Sequence, residues 1–207
     1  MGVASGQSGP AAVMVTREVR WFQHGPIPDS VVDWFIGAVL FEMEQRVDRY
    51  DLAETRRGVG LKHRNMGSVD SKHRLDFDEG VELAPRLTGR VEDWLKITAP
   101  LPDPDEVFGS AVVDVAKDIF TRRYALSSAN GNDSGCEAEL AIISIGSVEA
   151  WTLCFETFGD PLYRADALLC GIDGFLGETP LPDGLSLDAG SSCGYPEWIS
   201  SRSLELV

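Results

Sequence analysis

Alternation is the first pattern along the chain. From Val13 to Phe22 apolar and polar residues take turns, as in a strand whose successive side chains point to opposite faces. Gly25-Pro26-Ile27-Pro28-Asp29 reads as a turn, with Asp29 or Ser30 as the N-cap of a helix. Val31, Trp34, Phe35, Ala38, Val39 and Met43 fall at helical spacing, which predicts one amphipathic helix ending near Glu44. Strand-like runs follow at Arg46–Leu52, Val59–Arg64, Val69–Phe77 and Leu87–Thr98, the second and third joined through Asn65-Met66-Gly67-Ser68 as a hairpin turn. Pro100, Pro102 and Pro104 interrupt the pattern. The run Val112–Leu126 is compatible with a helical start or with one long strand. Asn130 to Gly135 is a loop, and two more strands, Cys136–Ile145 and Ala150–Thr157, flank a turn at Gly146-Ser147. Leu162, Ala165, Leu168 and Leu169 space out a second helix. Many antiparallel-type strands with few helices predict an α+β or barrel architecture.

The chain of 207 residues suits one domain, expected over 14–207 behind a Gly/Ser/Ala-rich, flexible N-terminal tail over 1–13. That tail lacks the basic and apolar regions of a signal peptide. No stretch approaches the ~18–20 apolar residues of a membrane span. Cys136, Cys154, Cys170 and Cys193 are widely spaced, without a CxxC pair, and read as reduced thiols of a cytoplasmic protein.

Charge sharpens this picture. The formal net charge of −15 argues against general nucleic-acid binding, yet thirteen of the eighteen Lys and Arg lie between Arg17 and Lys96. Strand parity then sorts side chains by face. Thr16, Glu18 and Arg20 share one face of the first strand. Arg46, Asp48 and Tyr50 line up on another, as do Lys62 with Arg64, Lys72 with Arg74, and Glu92 with Trp94 and Lys96. Glu137 and Glu139 share a face, while Thr152, Cys154 and Glu156 lie opposite the apolar Trp151, Leu153 and Phe155. One wall is basic and another acidic. In a flat sheet these faces would meet water; in a closed sheet they would line a lumen that must be wet, paired or filled.

The order of segments resembles the CYTH family, the triphosphate tunnel metalloenzymes. Thr16-Arg17-Glu18-Val19-Arg20-Trp21 is similar to the family's opening Glu-x-Glu-x-Lys strand, and Arg46-Val47-Asp48-Arg49-Tyr50 to its Arg-x-Asp-x-Tyr strand. Gly60-Leu61-Lys62-His63-Arg64 and Ser71-Lys72-His73-Arg74 match the basic hairpin. A basic strand near Lys117, Arg122 and Arg123, acidic strands around Glu139 and Glu156, and Tyr195-Pro196-Glu197-Trp198 complete the order, over roughly 15–200. The resemblance implies an antiparallel eight-stranded β-tunnel with a few flanking helices. It implies phosphate binding by Arg20, Arg46, Lys62, Arg64, Lys72, Arg74, Lys96 and Arg123, because Arg and Lys make charge-assisted hydrogen bonds to phosphate oxygens. It implies Mg²⁺ or Mn²⁺ on Glu18, Glu139 and Glu156, since such ions take oxygen ligands, and catalytic roles for Glu18, Glu156 and Lys62.

The chain departs from the family at several positions. Thr16 replaces the first Glu, Arg20 the Lys, Cys154-Phe155-Glu156 stands where Glu-x-Glu occurs, and Cys193-Gly194-Tyr195 lacks the closing Lys. The phosphate side is better kept than the metal side. The expected activity is metal-assisted phosphohydrolysis of a triphosphate or other phosphorylated small molecule. The alternatives are a tunnel that binds an anionic metabolite without hydrolysis, or a repurposed tunnel with non-phosphate chemistry. His63 and His73 are expected to point away from the cations, Asp48 to ion-pair with Arg46 or Lys62, and Cys154 to be inert.

Overall fold

The computed structural model describes residues 11–37, 40–64, 68–100, 108, 111–126 and 134–202. Eight strands form one closed antiparallel barrel: β1 (Ala12–His24), β2 (Glu42–Asp51), β3 (Val59–Arg64), β4 (Ser68–Ala84), β5 (Leu87–Pro100), β6 (Val112–Leu126), β7 (Ser134–Ile145) and β8 (Val148–Phe158). Their order around the wall is β1-β5-β4-β3-β2-β6-β7-β8, closing from β8 to β1. Four helices accompany it, α1 (Asp29–Ile36), α2 (Leu52–Thr55), α3 (Arg164–Glu178) and α4 (Tyr195–Arg202). The fold is thus the expected α+β eight-stranded barrel, and no helix among the described residues is long and apolar enough to cross a membrane.

Two apolar cores follow from strand parity. Odd residues of β1 and β8 point outward, so Val19, Trp21, Trp151, Leu153 and Phe155 pack under α1 and α3 through Phe35, Leu168, Ile172 and Phe175. The second core fills one end of the barrel. There the inward-facing Phe22, Tyr50, Val115, Ile119, Ala141 and Ile143 meet Trp198 and Ile199 of α4. Trp198 stacks on Phe22 with centroids 4.7 Å apart. Helix α4 is therefore a plug, and the polar cavity lies on its inner side.

Several local expectations are corrected. The helix expected to run to Glu44 stops at Ile36, because Gly37 takes a positive φ of 40° and its N–H returns to the Asp33 carbonyl. Ala38 and Val39 lie outside the described residues, and Met43 belongs to β2. Neither Asp29 nor Ser30 caps α1. Pro28 holds that position, and its carbonyl accepts from the Val31 N–H at 2.9 Å. The strand expected to end at Phe77 continues to Ala84 and turns through Pro85-Arg86, where Arg86 has φ 66°. The ambiguous 112–126 run is wholly strand. Leu52 is not in the strand: Asp51 ends β2 by accepting hydrogen bonds from the Ala53 and Glu54 N–H groups, which starts α2. The second helix opens as expected near Leu162, in a 3₁₀ turn over Pro161–Tyr163 that leads directly into α3 at Arg164. Strand β1 begins at Ala12, inside the stretch expected as tail, while residues 1–10 of that tail lie outside the described residues. The expected turn at Asn65–Gly67 and most of the Asn130–Gly135 loop also lie outside them, although Arg64 pairs with Ser68 as a hairpin requires.

Contact between α3 and the barrel is close enough to predict a substitution. A Cβ on Gly171 would lie 2.8 Å from the Sγ of Cys136, itself fully buried on β7. Overpacking of this kind costs about 1–3 kcal/mol. Gly171→Ala is expected to lower the denaturation midpoint accordingly with an unchanged denaturant slope.

Candidate functional site

The barrel encloses a cavity of about 290 Å³. Its lining includes Glu18, Arg20, Arg46, Lys62, Arg64, Lys72, Lys96, Glu139 and Glu156, so nine of the expected site residues meet in one place. Arg123 is exposed and lies beside this cavity, in a groove shared with Glu42, Thr121 and Glu137. Arg74 is outside the lining, where its guanidinium pairs with Glu92 at 3.0 Å and Glu197 at 3.3 Å. The lining also contains Lys117, Tyr50, Asp70, Glu42, Glu44, Glu137 and Tyr195, none of them in the expected set.

Cross-strand register organises the acidic wall. Glu92 faces Glu18 from β5 to β1, Glu18 faces Glu156 on β8, and Glu156 faces Glu137 on β7. Four carboxylates thus occupy adjoining ladder positions. Burial and the proximity of Glu18 push the Glu92 carboxyl up, and burial with Glu156 and Glu139 does the same to Glu137. Glu18 and Glu156 are relieved by a single cation: Lys72 Nζ is 2.5 Å from Glu18 Oε2 and 2.9 Å from Glu156 Oε1. Burial would raise the Glu156 carboxyl, but Lys72 outweighs it and holds it far below the usual carboxylate range. Burial would likewise discharge Lys72, and the two carboxylates keep its amine more basic than a free lysine.

The basic wall has its own centre. Asp48, fully buried, receives Arg46 at 3.2 Å on Oδ1, and both Lys62 at 3.0 Å and Lys117 at 2.8 Å on Oδ2. Three cations converge on this carboxylate, and Arg46 also pairs with Glu44 at 2.5 Å. Burial opposes ionisation of Asp48, yet Lys117, Lys62 and Arg46 keep it charged down to very low pH. The lysines bear the cost: burial lowers the Lys117 amine to about 8 and lowers Lys62 well below its ordinary value, against the opposing pull of Asp48. Arg64 pairs with Asp70 at 2.9 Å. Arg20 bridges the walls, donating to Glu139 at 2.7 Å and to the Thr152 hydroxyl at 3.1 Å. Tyr195 of the plug lies between cations, its ring 3.8 Å from Lys117 Nζ and 4.7 Å from the Arg20 guanidinium carbon.

Two pairs of cations also stand directly opposite across the ladder, Lys72 with Lys96 and Arg46 with Lys117. Such juxtapositions are destabilising. The Lys96 side chain makes no ion pair or hydrogen bond among the described residues, although Glu156 and Glu137 act on it at longer range.

The sequence matches no family model and no curated protein. The geometry of the barrel therefore carries the functional reading.

Among the described residues no three His, Cys, Asp or Glu side chains gather as a metal-ion set, and Glu139 is engaged by Arg20 while Glu18 and Glu156 converge on Lys72. Asp48 has the ion-pair role expected of it, with Lys117 added. His63 packs towards Phe108, with ring centroids 6.3 Å apart. Cys154 is fully buried, and burial raises its thiol well above the ordinary value despite nearby Arg20, which disfavours the thiolate.

Proposed function

We propose that the barrel binds a phosphorylated small molecule in its cavity and hydrolyses it with a divalent metal, as the likeness to the CYTH family implies. The observation that carries the binding step is a local cluster of cations within a lining of seven Lys or Arg and seven Asp or Glu: Arg46, Lys62 and Lys117 converge on Asp48, and Lys96 is set against Lys72. An anion in the cavity would relieve both repulsions, and phosphate offers the acceptor oxygens these donors need. A volume of about 290 Å³ suits a small ligand.

The carboxylate side supports Mg²⁺ or Mn²⁺ in a limited form. Glu18 and Glu156 already direct oxygens at one cation, the Lys72 ammonium, and Mg²⁺ is commonly held by one or two carboxylates together with substrate phosphate. Glu18 and Glu156 would hold the metal, with Glu139 released from Arg20 as a third oxygen donor. When bound, the metal would offset charge on the phosphate and activate water. Arg20, Arg46, Lys62, Arg64 and Lys96 would orient the phosphate oxygens.

A second reading, binding without hydrolysis, draws on the same Lys72: its ammonium occupies the place where a metal would have to enter. Phosphate release from tripolyphosphate, nucleoside triphosphates and pyrophosphate, with and without Mg²⁺ or Mn²⁺, separates the two. Metal-dependent release that falls ~100-fold or more in Glu156→Gln supports hydrolysis. A rise in melting temperature with these anions and no product selects the binding reading.

A further inference from the structure

All four lysines of the chain, Lys62, Lys72, Lys96 and Lys117, line the one cavity; every other cationic side chain is arginine. Lysine ordinarily populates solvated surfaces. Here the primary amines are reserved for the interior. Arginine is always charged, whereas a lysine amine can lose its proton and act as a nucleophile. Two of the four donate to the same oxygen of Asp48 while Arg46 occupies the other. Arg46 has Glu44 as a second partner, so Lys62 and Lys117 are left to share one buried oxygen, and one amine is favoured as neutral.

From this arrangement we infer that the cavity also captures small anionic aldehydes or ketones, with Lys62 as the attacking amine and Lys117 as its charged neighbour. Lys62 is the more accessible of the pair, its side chain 14% exposed against 2% for Lys117. The groups facing it are Asp48, Tyr50 and Arg46 from β2, Asp70 from β4, Lys117 from β6 and Arg64 on its own strand. Burial and the cations Lys117, Arg64 and Arg46 push its amine well below the ordinary lysine value, which agrees with the geometry. Arg46 and Arg64, which stay charged, would hold the anionic group beside the amine. The lone pair of the Lys62 nitrogen forms the bond to the carbonyl carbon. The two amine hydrogens leave with the carbonyl oxygen as water, and a carbon–nitrogen double bond remains. The capture needs the anion-binding cavity proposed above but not hydrolysis.

Reductive trapping tests it. The full chain is incubated at neutral pH with pyridoxal 5′-phosphate, or with pyridoxal lacking the phosphate. Borohydride then delivers hydride to the imine carbon, and adducts are mapped by peptide mass. The expected result is one adduct per chain at Lys62, formed at least ten-fold more efficiently by the phosphorylated aldehyde and suppressed by excess tripolyphosphate. Lys62→Arg keeps the charge and is expected to abolish the adduct; the wild-type map stands alone if that variant does not fold. Labelling spread over the four lysines, confined to Lys72, Lys96, Lys117 or the terminal amine, or equally efficient with pyridoxal, overturns the inference. Labelling at Lys62 without competition by tripolyphosphate overturns the anion-guided capture as well; the melting shift with tripolyphosphate alone and phosphate release are scored separately as tests of the cavity and of hydrolysis.

Discussion

Asp48→Asn is expected to lower folding stability by roughly 3–5 kcal/mol, the cost of removing one partner from a buried ion pair. The substitution keeps the shape of the side chain and removes its charge. Arg46, Lys62 and Lys117 would then surround a neutral amide, with like charges opposed across β2 and β6. Denaturant unfolding reads the loss as a lower midpoint with an unchanged slope. The pH dependence gives an independent check. The Asp48 carboxyl is held far below its ordinary value of 3.8, so its contribution is fully present above about pH 4 and is lost as pH falls further. The variant is expected to show a shallower acid limb. A loss under about 1 kcal/mol, or an unchanged acid limb, would mean that Asp48 is not the counter-charge of the basic wall.

Lys96→Met is expected to separate binding from folding. Lys96 lies opposite Lys72, and its side chain has no hydrogen-bond or ion-pair partner among the described residues. Its removal takes away a cross-strand repulsion with Lys72 and a longer-range attraction to Glu156 and Glu137, which offset each other, so stability should change by less than about 1 kcal/mol. Its proposed role is one charge-assisted hydrogen bond to phosphate, worth about 1.5–3 kcal/mol, so affinity for tripolyphosphate should fall roughly 10- to 150-fold. Thermal melts and titration calorimetry read the two effects separately. Equal affinity with raised stability would place Lys96 outside the binding set, and a large loss of stability would give it a structural role instead.

Parity made much of the cavity legible in the sequence. Glu18 with Arg20, Lys62 with Arg64, and Glu156 beneath an apolar outer face were all assigned to shared walls by alternation alone, and the closed barrel brings those walls together. Closure itself was not legible, because a flat sheet and a barrel share the same alternation; that step came from the order of motifs. Lys117 escaped because the Val112–Leu126 run fitted both periods, and only as a strand does it turn Lys117 inward with Val115 and Ile119. Arg74 keeps the parity of Lys72 and pairs in register with Trp94, yet its guanidinium meets Glu92 and, from α4, Glu197 instead of the cavity. A partner on a distant helix leaves no mark in the spacing of residues along a strand. The plug was visible only as a Tyr-Pro-Glu-Trp segment, since the stacking of Trp198 on Phe22 depends on contact across 176 positions of sequence.

Titration of the wild-type chain with tripolyphosphate, with and without Mg²⁺, tests the anion cavity most directly. The clustered cations predict one binding site per chain, an affinity that weakens as salt is added, and a melting temperature that rises with ligand. No binding heat and no melting shift under either condition would contradict a cavity built to hold a phosphorylated anion.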